Sequence, residues 1–325
     1  MPHSAAPGDV AVIAALAESL GFSSLWVPEN CFLNGGVAAV GAALAATQHL
    51  PIGLGVMPAP LRHPASAAME IATLAQAHPG RFTAGFGLGV PAWLDQMGLR
   101  PRRSLQYLGD YVVVVRRLLA GEAVTLDCGA SEMVLRNIRL THPPGVVPIA
   151  LGVVGPKMLE LAGRVADTVI LSTLAGPSYV RAAVETIGAA AAAAGRGMPR
   201  VTCFAAFHLG ATTELAQKSI RSDLAFSLRA SGPGPLTDAV GASEQLSELL
   251  AVHQGDSLAA AIPDEWVDEM SITGDLDACA NKIGALWANG ADEVVIAPKP
   301  VTDARAMLHD AAERLLPLLR PGTRT

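Results

Sequence analysis

The chain has 325 residues, 51% of them hydrophobic, enough to bury an extensive core in one large α/β domain or two ordinary ones. With 23 Lys and Arg against 29 Asp and Glu the formal charge is −6, and only Arg100, Arg102 and Arg103 cluster, so a nucleic-acid role has little electrostatic support. Cys31, Cys128, Cys203 and Cys279 lie far apart, with no paired spacing and no histidine at ligand intervals; they read as reduced thiols of a cytoplasmic protein, and no metal site is expected.

The N-terminal MPHSAAPGD has neither the basic region nor the apolar core of a secretory signal, and Met1 to Gly8 contain no β-prone run. The pattern then predicts a helix over 9–20, stopped by Gly21, and a strand over 24–27. A helix over 37–47 leads through Pro51 to a strand over 52–57. Residues 31–61 carry no Asp, Glu, Lys or Arg. Thr47-Gln48-His49, Pro51, Pro58 and Pro60 nevertheless interrupt any apolar helix of ~20 residues, so no membrane span is expected. A helix over 65–77 and the Pro79-Gly80 turn precede a strand over 81–86. In the helix over 104–119, Leu105, Leu108, Val112, Val115 and Leu119 recur at three- and four-residue steps, as a face against a sheet requires. From Gly121 to Gly145 the rhythm breaks into short β-prone pieces, read as an inserted hairpin after the fourth βα unit. Alternation resumes with strand 147–151, helix 156–165, strand 168–172, helix 177–194 and strand 200–209. Residues 211–290 read as mainly helical, with a loose segment from Ser231 to Pro235, before strand 293–297 and helix 302–319.

Seven apolar, β-branched strands alternating with helices imply a parallel sheet covered on both faces. Polar candidates follow almost every strand, which favours a TIM (β/α)8 barrel over an open doubly wound sheet with a single crevice. Its first strand is missing or atypical, and the whole of 1–325 is expected to form one domain.

In a barrel the chemistry sits just beyond the strand C-termini. Glu29 and Asn30 close the strand over 24–27 and are placed to hydrogen-bond the polar edge of a ring, helix capping being the alternative. Gly55 inside a strand, beside Val56 and Met57, suggests a bulge or the close approach of a ligand. Gly87-Leu88-Gly89 is one glycine turn and Gly152-Val153-Val154-Gly155 another, with Pro156 at the first position of a helix. A glycine turn at a helix N-terminus is the outline of a phosphate cradle. Lys157 stands at that turn, and Ser172-Thr173 and Lys299 follow other strands; His208 is a candidate proton donor, whereas His63, in Leu61-Arg62-His63-Pro64, reads as a structural turn. No GxSxG elbow supports a hydrolytic triad. Two glycine turns at one end of a barrel suit a phosphate-bearing cofactor that brings its own chemistry.

Taken together, these motifs resemble the luciferase-like monooxygenase superfamily, and most closely its branch of methylenetetrahydromethanopterin reductase and other enzymes dependent on the deazaflavin coenzyme F420. The resemblance runs from about Asp9 to Leu319 through Ser24-Leu25-Trp26-Val27-Pro28-Glu29, Gly53-Leu54-Gly55-Val56, Arg62-His63-Pro64, Gly85-Phe86-Gly87-Leu88-Gly89, Gly155-Pro156-Lys157-Met158-Leu159-Glu160-Leu161-Ala162-Gly163 and Gly290-Ala291-Asp292-Glu293-Val294-Val295. It implies a cofactor ring at the strand ends, a phosphate near Gly155, and a non-proline cis peptide at Gly55-Val56. The implied activity is hydride transfer between F420 and a small organic substrate. The alternatives are an FMN monooxygenase using reduced flavin and oxygen, and a non-catalytic subunit of the same fold. Two departures mark this chain: Glu29-Asn30 stands where many relatives have Asp-His, and Val153-Val154-Gly155 where relatives often have two glycines. Asn30 donates hydrogen bonds but does not shuttle protons near neutral pH. The alanine-rich helices from Val37 to Ala46 and from Ala182 to Ala194 offer small-residue faces, so a homodimer or higher oligomer is expected.

Overall fold

The structure, a computed structural model, describes residues 6–127 and 132–319. Cys128, the start of the Met1–Gly8 segment and part of the expected hairpin therefore lie outside the described residues. The chain forms two compact units, one reaching Val153 and including Glu160–Val169, the other comprising Val154–Leu159 and the chain from Ile170 onward.

The first unit alternates helix and strand: α1 Val10–Ser19, β1 Leu25–Val27, α2 Gly36–Ala45, β2 Ile52–Leu54, β3 Met57–Pro58, α3 Pro64–Ala77, β4 Phe82–Gly87, α4 Pro91–Met97, α5 Ser104–Leu119, β5 Val124–Leu126, β6 Leu135–Ile138 and β7 Ile149–Gly152. The order β1-β2-β4-β7 is parallel throughout, with Trp26 opposite Gly53, Ile52 opposite Phe82 and Ala84 opposite Ile149. Among the described residues no strand precedes α1. β5 and β6 pair antiparallel, which is the expected inserted hairpin.

Apolar spacing explains the helices. α5 turns Leu108, Tyr111, Val112, Val115 and Leu119 inward, and α3 begins where His63 caps it, its Nδ1 accepting from the Ala65 N–H at 3.3 Å with Pro64 in the first turn. His63 is thus the structural turn that was expected. Charged side chains tie the turns between elements to the sheet. Glu18, at the end of α1, accepts the N–H groups of Gln48, His49 and Leu50 at the entrance to β2. Asp167 accepts from Ile149 at the start of β7 and pairs with Arg116 of α5 at 2.9 Å.

After α6 Pro156–Val165 and β8 Thr168–Leu171, the second unit contains α7 Pro177–Ala193, β9 Arg200–Leu209, α8 Thr213–Ser231, α9 Pro235–Asp238, α10 Ser243–Val252, α11 Asp256–Ala261, α12 Asp264–Glu269, β10 Ile272–Gly274, α13 Leu276–Ala288, β11 Glu293–Pro298, α14 Ala304–Asp310 and α15 Leu316–Leu319. The long β9 pairs in parallel with both β10 and β11.

Three expectations change. The strand expected over 52–57 is two strands, β2 ending at Leu54 and pairing resuming only at Met57 opposite Phe86. The region 211–290 is mainly helical, as expected, with the short β10 inside it. The loose segment shrinks to 232–234, because Ser231 ends α8 and Pro235 starts α9. Finally, α4 occupies a stretch to which no element was assigned, opened by Pro91 and closed by Gly98 at φ +68°.

Candidate functional site

β1 delivers Pro28, Glu29 and Asn30 to its C-terminal end. Glu29 is only 7% exposed, and its two carboxylate oxygens accept from Arg62 Nη2 at 2.9 Å and Nη1 at 3.0 Å. That fork-to-fork pair spends most of what Glu29 has to offer. Arg62, in the turn before α3, also meets Glu70 through Nε at 3.0 Å. α2 starts against the same carboxylate; a Cβ on Gly36 would come within 2.7 Å of the Glu29 Cβ. Burial raises the phenol pKa of nearby Tyr111, which keeps that ring neutral. Asn30 differs from its neighbour. Its carbonyl accepts from Leu33 N–H at 3.1 Å, while its side-chain amide has no hydrogen-bond partner among the described residues. The structure therefore separates the two: Glu29 is held by the protein, and Asn30 keeps donor and acceptor capacity for something else.

The cis peptide implied by the resemblance sits where it was placed, between Gly55 and Val56. The Gly55 N–H donates to Val27 at 2.8 Å and the Val56 carbonyl accepts from Glu29 N–H at 3.4 Å, so this segment remains tied to the end of β1. Three glycines surround the Val56 side chain. A Cβ on Gly152 would lie 2.7 Å from Val56 Cγ1, one on Gly87 2.8 Å from Val56 Cγ2, and one on Gly85 1.9 Å from the Leu54 carbonyl oxygen. Gly85 and Gly87 of β4 and Gly152 of β7 thus leave the room that the Val56 side chain, just past β2, fills. Met57 is fully buried, Leu88 half-buried, and Gly89 exposed at φ +83°, a conformation that favours glycine.

The chain leaves β7 at Gly152, buries Val153, exposes Val154 and turns at Gly155, whose φ is +87°. α6 then opens on Pro156 with no acidic residue in its first turn, and Lys157 is exposed beside it. The first N–H groups of a helix have no partner within it, and their partial positive charge suits an anion. Tyr179, which sequence reasoning did not single out, lies buried by the Gly155 backbone, with burial raising its phenol pKa. Its one sequence signal is its position in the first turn of the helix after β8.

At the end of β9, His208 Nδ1 lies 2.5 Å from the Lys299 carbonyl oxygen. A carbonyl only accepts, so Nδ1 carries the hydrogen and Nε2 is left as the acceptor of the neutral ring. The Lys299 ammonium pairs with Asp223 of α8 at 3.1 Å. Ser172 and Thr173 follow β8, both half-buried. Among the described residues no group of three His, Cys, Asp or Glu is placed to hold a metal ion, and no helix is long and apolar enough to cross a membrane.

The family model of luciferase-like monooxygenases matches residues 1–293. The chain is 30% identical over 295 residues to the 5,10-methylenetetrahydromethanopterin reductase of Methanolobus tindarius, covering 88% of this chain and 89% of that protein. It is 28% identical to an F420-dependent glucose-6-phosphate dehydrogenase of Nakamurella multipartita, covering 83% and 84%. Among solved structures, the coenzyme F420-dependent tetrahydromethanopterin reductase of Methanopyrus kandleri superposes with a TM-score of 0.85 at 22% identity, over 98% of each chain. That likeness shows the fold, the luciferase-like TIM barrel expected from the rhythm of strands and helices.

Proposed function

This chain belongs to the luciferase-like monooxygenase family, and from that premise we propose that it is a coenzyme F420-dependent oxidoreductase transferring hydride between the deazaflavin and a small organic substrate. The reading draws on relatives described as F420-dependent reductases and dehydrogenases. It rests most on one feature of the chain itself, the glycines of β4 and β7 that make room for the Val56 side chain just past β2. An apolar side chain seated among strand ends in this way suits the backing of a flat ring.

The residues present fit such a cofactor. Gly55, Val56 and Met57 would back the ring, Gly87, Leu88 and Gly89 would line its edge, and Gly152, Val153, Val154, Gly155 and Pro156 would bring backbone N–H groups of α6 to its phosphate. The bound deazaflavin supplies the hydride-accepting or hydride-donating carbon. The protein supplies position and dryness. Asn30, with its amide unspent, would hydrogen-bond ring or substrate without moving a proton, and the Arg62–Glu29 pair would hold the loop that carries it. The buried, unpaired Cys31, Cys203 and Cys279 support a cytoplasmic setting. The exposed small face of α2, formed by Ala38, Ala42 and Ala45, supports self-association as a homodimer or higher oligomer.

Titrating the purified protein with F420 and, separately, with FMN tests the proposal. Saturable F420 binding that Gly87→Ala weakens is expected. Tight FMN binding with none of F420 would reassign the chain to the flavin monooxygenases, and binding of neither would make it a non-catalytic member.

A further inference from the structure

Phe32 has a backbone conformation at odds with its side chain. The Asn30 carbonyl accepts the Leu33 N–H at 3.1 Å and closes a turn over residues 30–33. Of those four residues only Phe32, the third, has a positive φ, +70°. That is the pattern of a type II turn, whose third position is the usual place of glycine or asparagine because a Cβ crowds the backbone there. Burial does not offset the strain: Phe32 is 65% exposed, and Leu33 beside it 52%. The Phe32 ring instead meets Trp93 edge to face, their ring centroids 6.4 Å apart and their planes at 68°. Trp93 is half-buried in the first turn of α4. Strained backbone of this kind concentrates at binding and catalytic sites, and here it holds an aromatic ring in the open.

Both residues lie just past strand C-termini. Phe32 is two residues beyond Asn30, in the turn that Asn30 closes, and Trp93 follows the Gly87-Leu88-Gly89 turn after β4. A Cβ on Gly89 would come within 2.9 Å of Pro58 Cβ, so the chain leaving β4 lies against the end of β3. No free charge accompanies the aromatic pair. Residues 31–61 and 82–94 contain no Asp, Glu, Lys or Arg. At their borders Glu29 is paired with Arg62 and Asp95 with Arg100, each at 2.9 Å.

We propose that Phe32 and Trp93 are specificity-determining residues, an aromatic wall that takes the uncharged, apolar body of the substrate while the Asn30 amide hydrogen-bonds a polar oxygen on it. The inference rests on the reading of this chain as an F420-dependent oxidoreductase and narrows its substrate to neutral organic molecules with a ring-sized hydrocarbon body. A sugar phosphate, hydroxylated and doubly charged, finds no cation along these loops to answer its phosphate and no hydroxyl-binding side chain beside the rings.

Fluorine NMR of the full chain labelled with 5-fluorotryptophan tests this, with and without F420. The chain has four tryptophans, and Trp93→Phe assigns the Trp93 resonance. Cyclohexanone is expected to shift that resonance saturably. Acetone, which lacks three methylenes, is expected to bind roughly tenfold more weakly, and glucose 6-phosphate to leave the resonance in place. Phe32→Asn removes the ring and puts at the third position of the turn a residue that tolerates it. This variant is expected to weaken cyclohexanone roughly fivefold or more, with a urea midpoint no lower than that of wild type and unchanged F420 affinity. A ring that merely held the loop would give the opposite split, lost stability with unchanged cyclohexanone affinity. That split, a cyclohexanone response that does not saturate, or a shift with glucose 6-phosphate would overturn the proposal. The F420 titration decides the oxidoreductase reading by itself, so the two fail separately.

Discussion

Replacing Arg62 by methionine tests what the buried ion pair at the end of β1 does, the 3.0 Å contact it also breaks being with Glu70, whose side chain is 39% exposed and is resolvated on loss of the guanidinium. The substitution keeps an apolar stem and removes the guanidinium, leaving a Glu29 carboxylate that is 7% exposed without the two bonds it accepts at 2.9 and 3.0 Å. Breaking a buried pair by removing one partner costs about 3–5 kcal/mol, because the remaining charge is uncompensated. Arg62 itself is 20% exposed, so water can partly reach the stranded carboxylate and the lower end, about 3 kcal/mol, is expected. Glu29→Gln in the Arg62→Met background removes that charge, and the double variant is expected to recover about 2 kcal/mol of the loss. Urea unfolding followed by circular dichroism at constant m-value reads each stability. A single-variant loss below about 1 kcal/mol, or a double variant as unstable as the sum of the singles, would refute the reasoning that Glu29 is held chiefly by Arg62. The same series carries a functional readout. If the pair positions the Asn30 loop, Arg62→Met should weaken F420 binding even under conditions where the protein is fully folded.

Gly152→Ala places a Cβ 2.7 Å from Val56 Cγ1 and is expected to cost about 1–3 kcal/mol, which Val56→Ala in the same chain should partly restore; a stability equal to wild type would show that the strand ends have slack. Glu18 is held at about 2, below its ordinary 4.5, chiefly by the His49 and Gln48 N–H groups. Its stabilisation is therefore complete above pH 4.5 and is lost as pH falls toward 2, so the urea midpoint of Glu18→Gln should fall less steeply over that window than that of wild type, and parallel slopes would sink the assignment. Burial pushes the Cys203 and Cys279 thiols up to about 12, and both should resist iodoacetamide in the folded protein and react once urea unfolds it; labelling in the native state, read by peptide mass spectrometry, would contradict their burial.

What could be read in advance was what the backbone demands locally. Pro64 and Pro156 announce helix starts because a missing N–H costs nothing there, and Gly155 at φ +87° announces a turn that other residues resist. The face of α5 is written in its spacing over sixteen residues. β10 was missed for the converse reason: Ile272-Thr273-Gly274 is too short to display a period, and it is a strand because Phe207, His208 and Leu209 of β9 pair with it. α4 has its stop signal in Gly98, yet seven residues make fewer than two turns and no stripe. Side chains that meet through space leave still less trace. Glu29 and Arg62 are 33 residues apart, so the sequence suggests Glu29 as a ligand-binding acid, whereas folding commits both of its oxygens to a guanidinium. The consequence for function is that the exchangeable polar group at the end of β1 is Asn30.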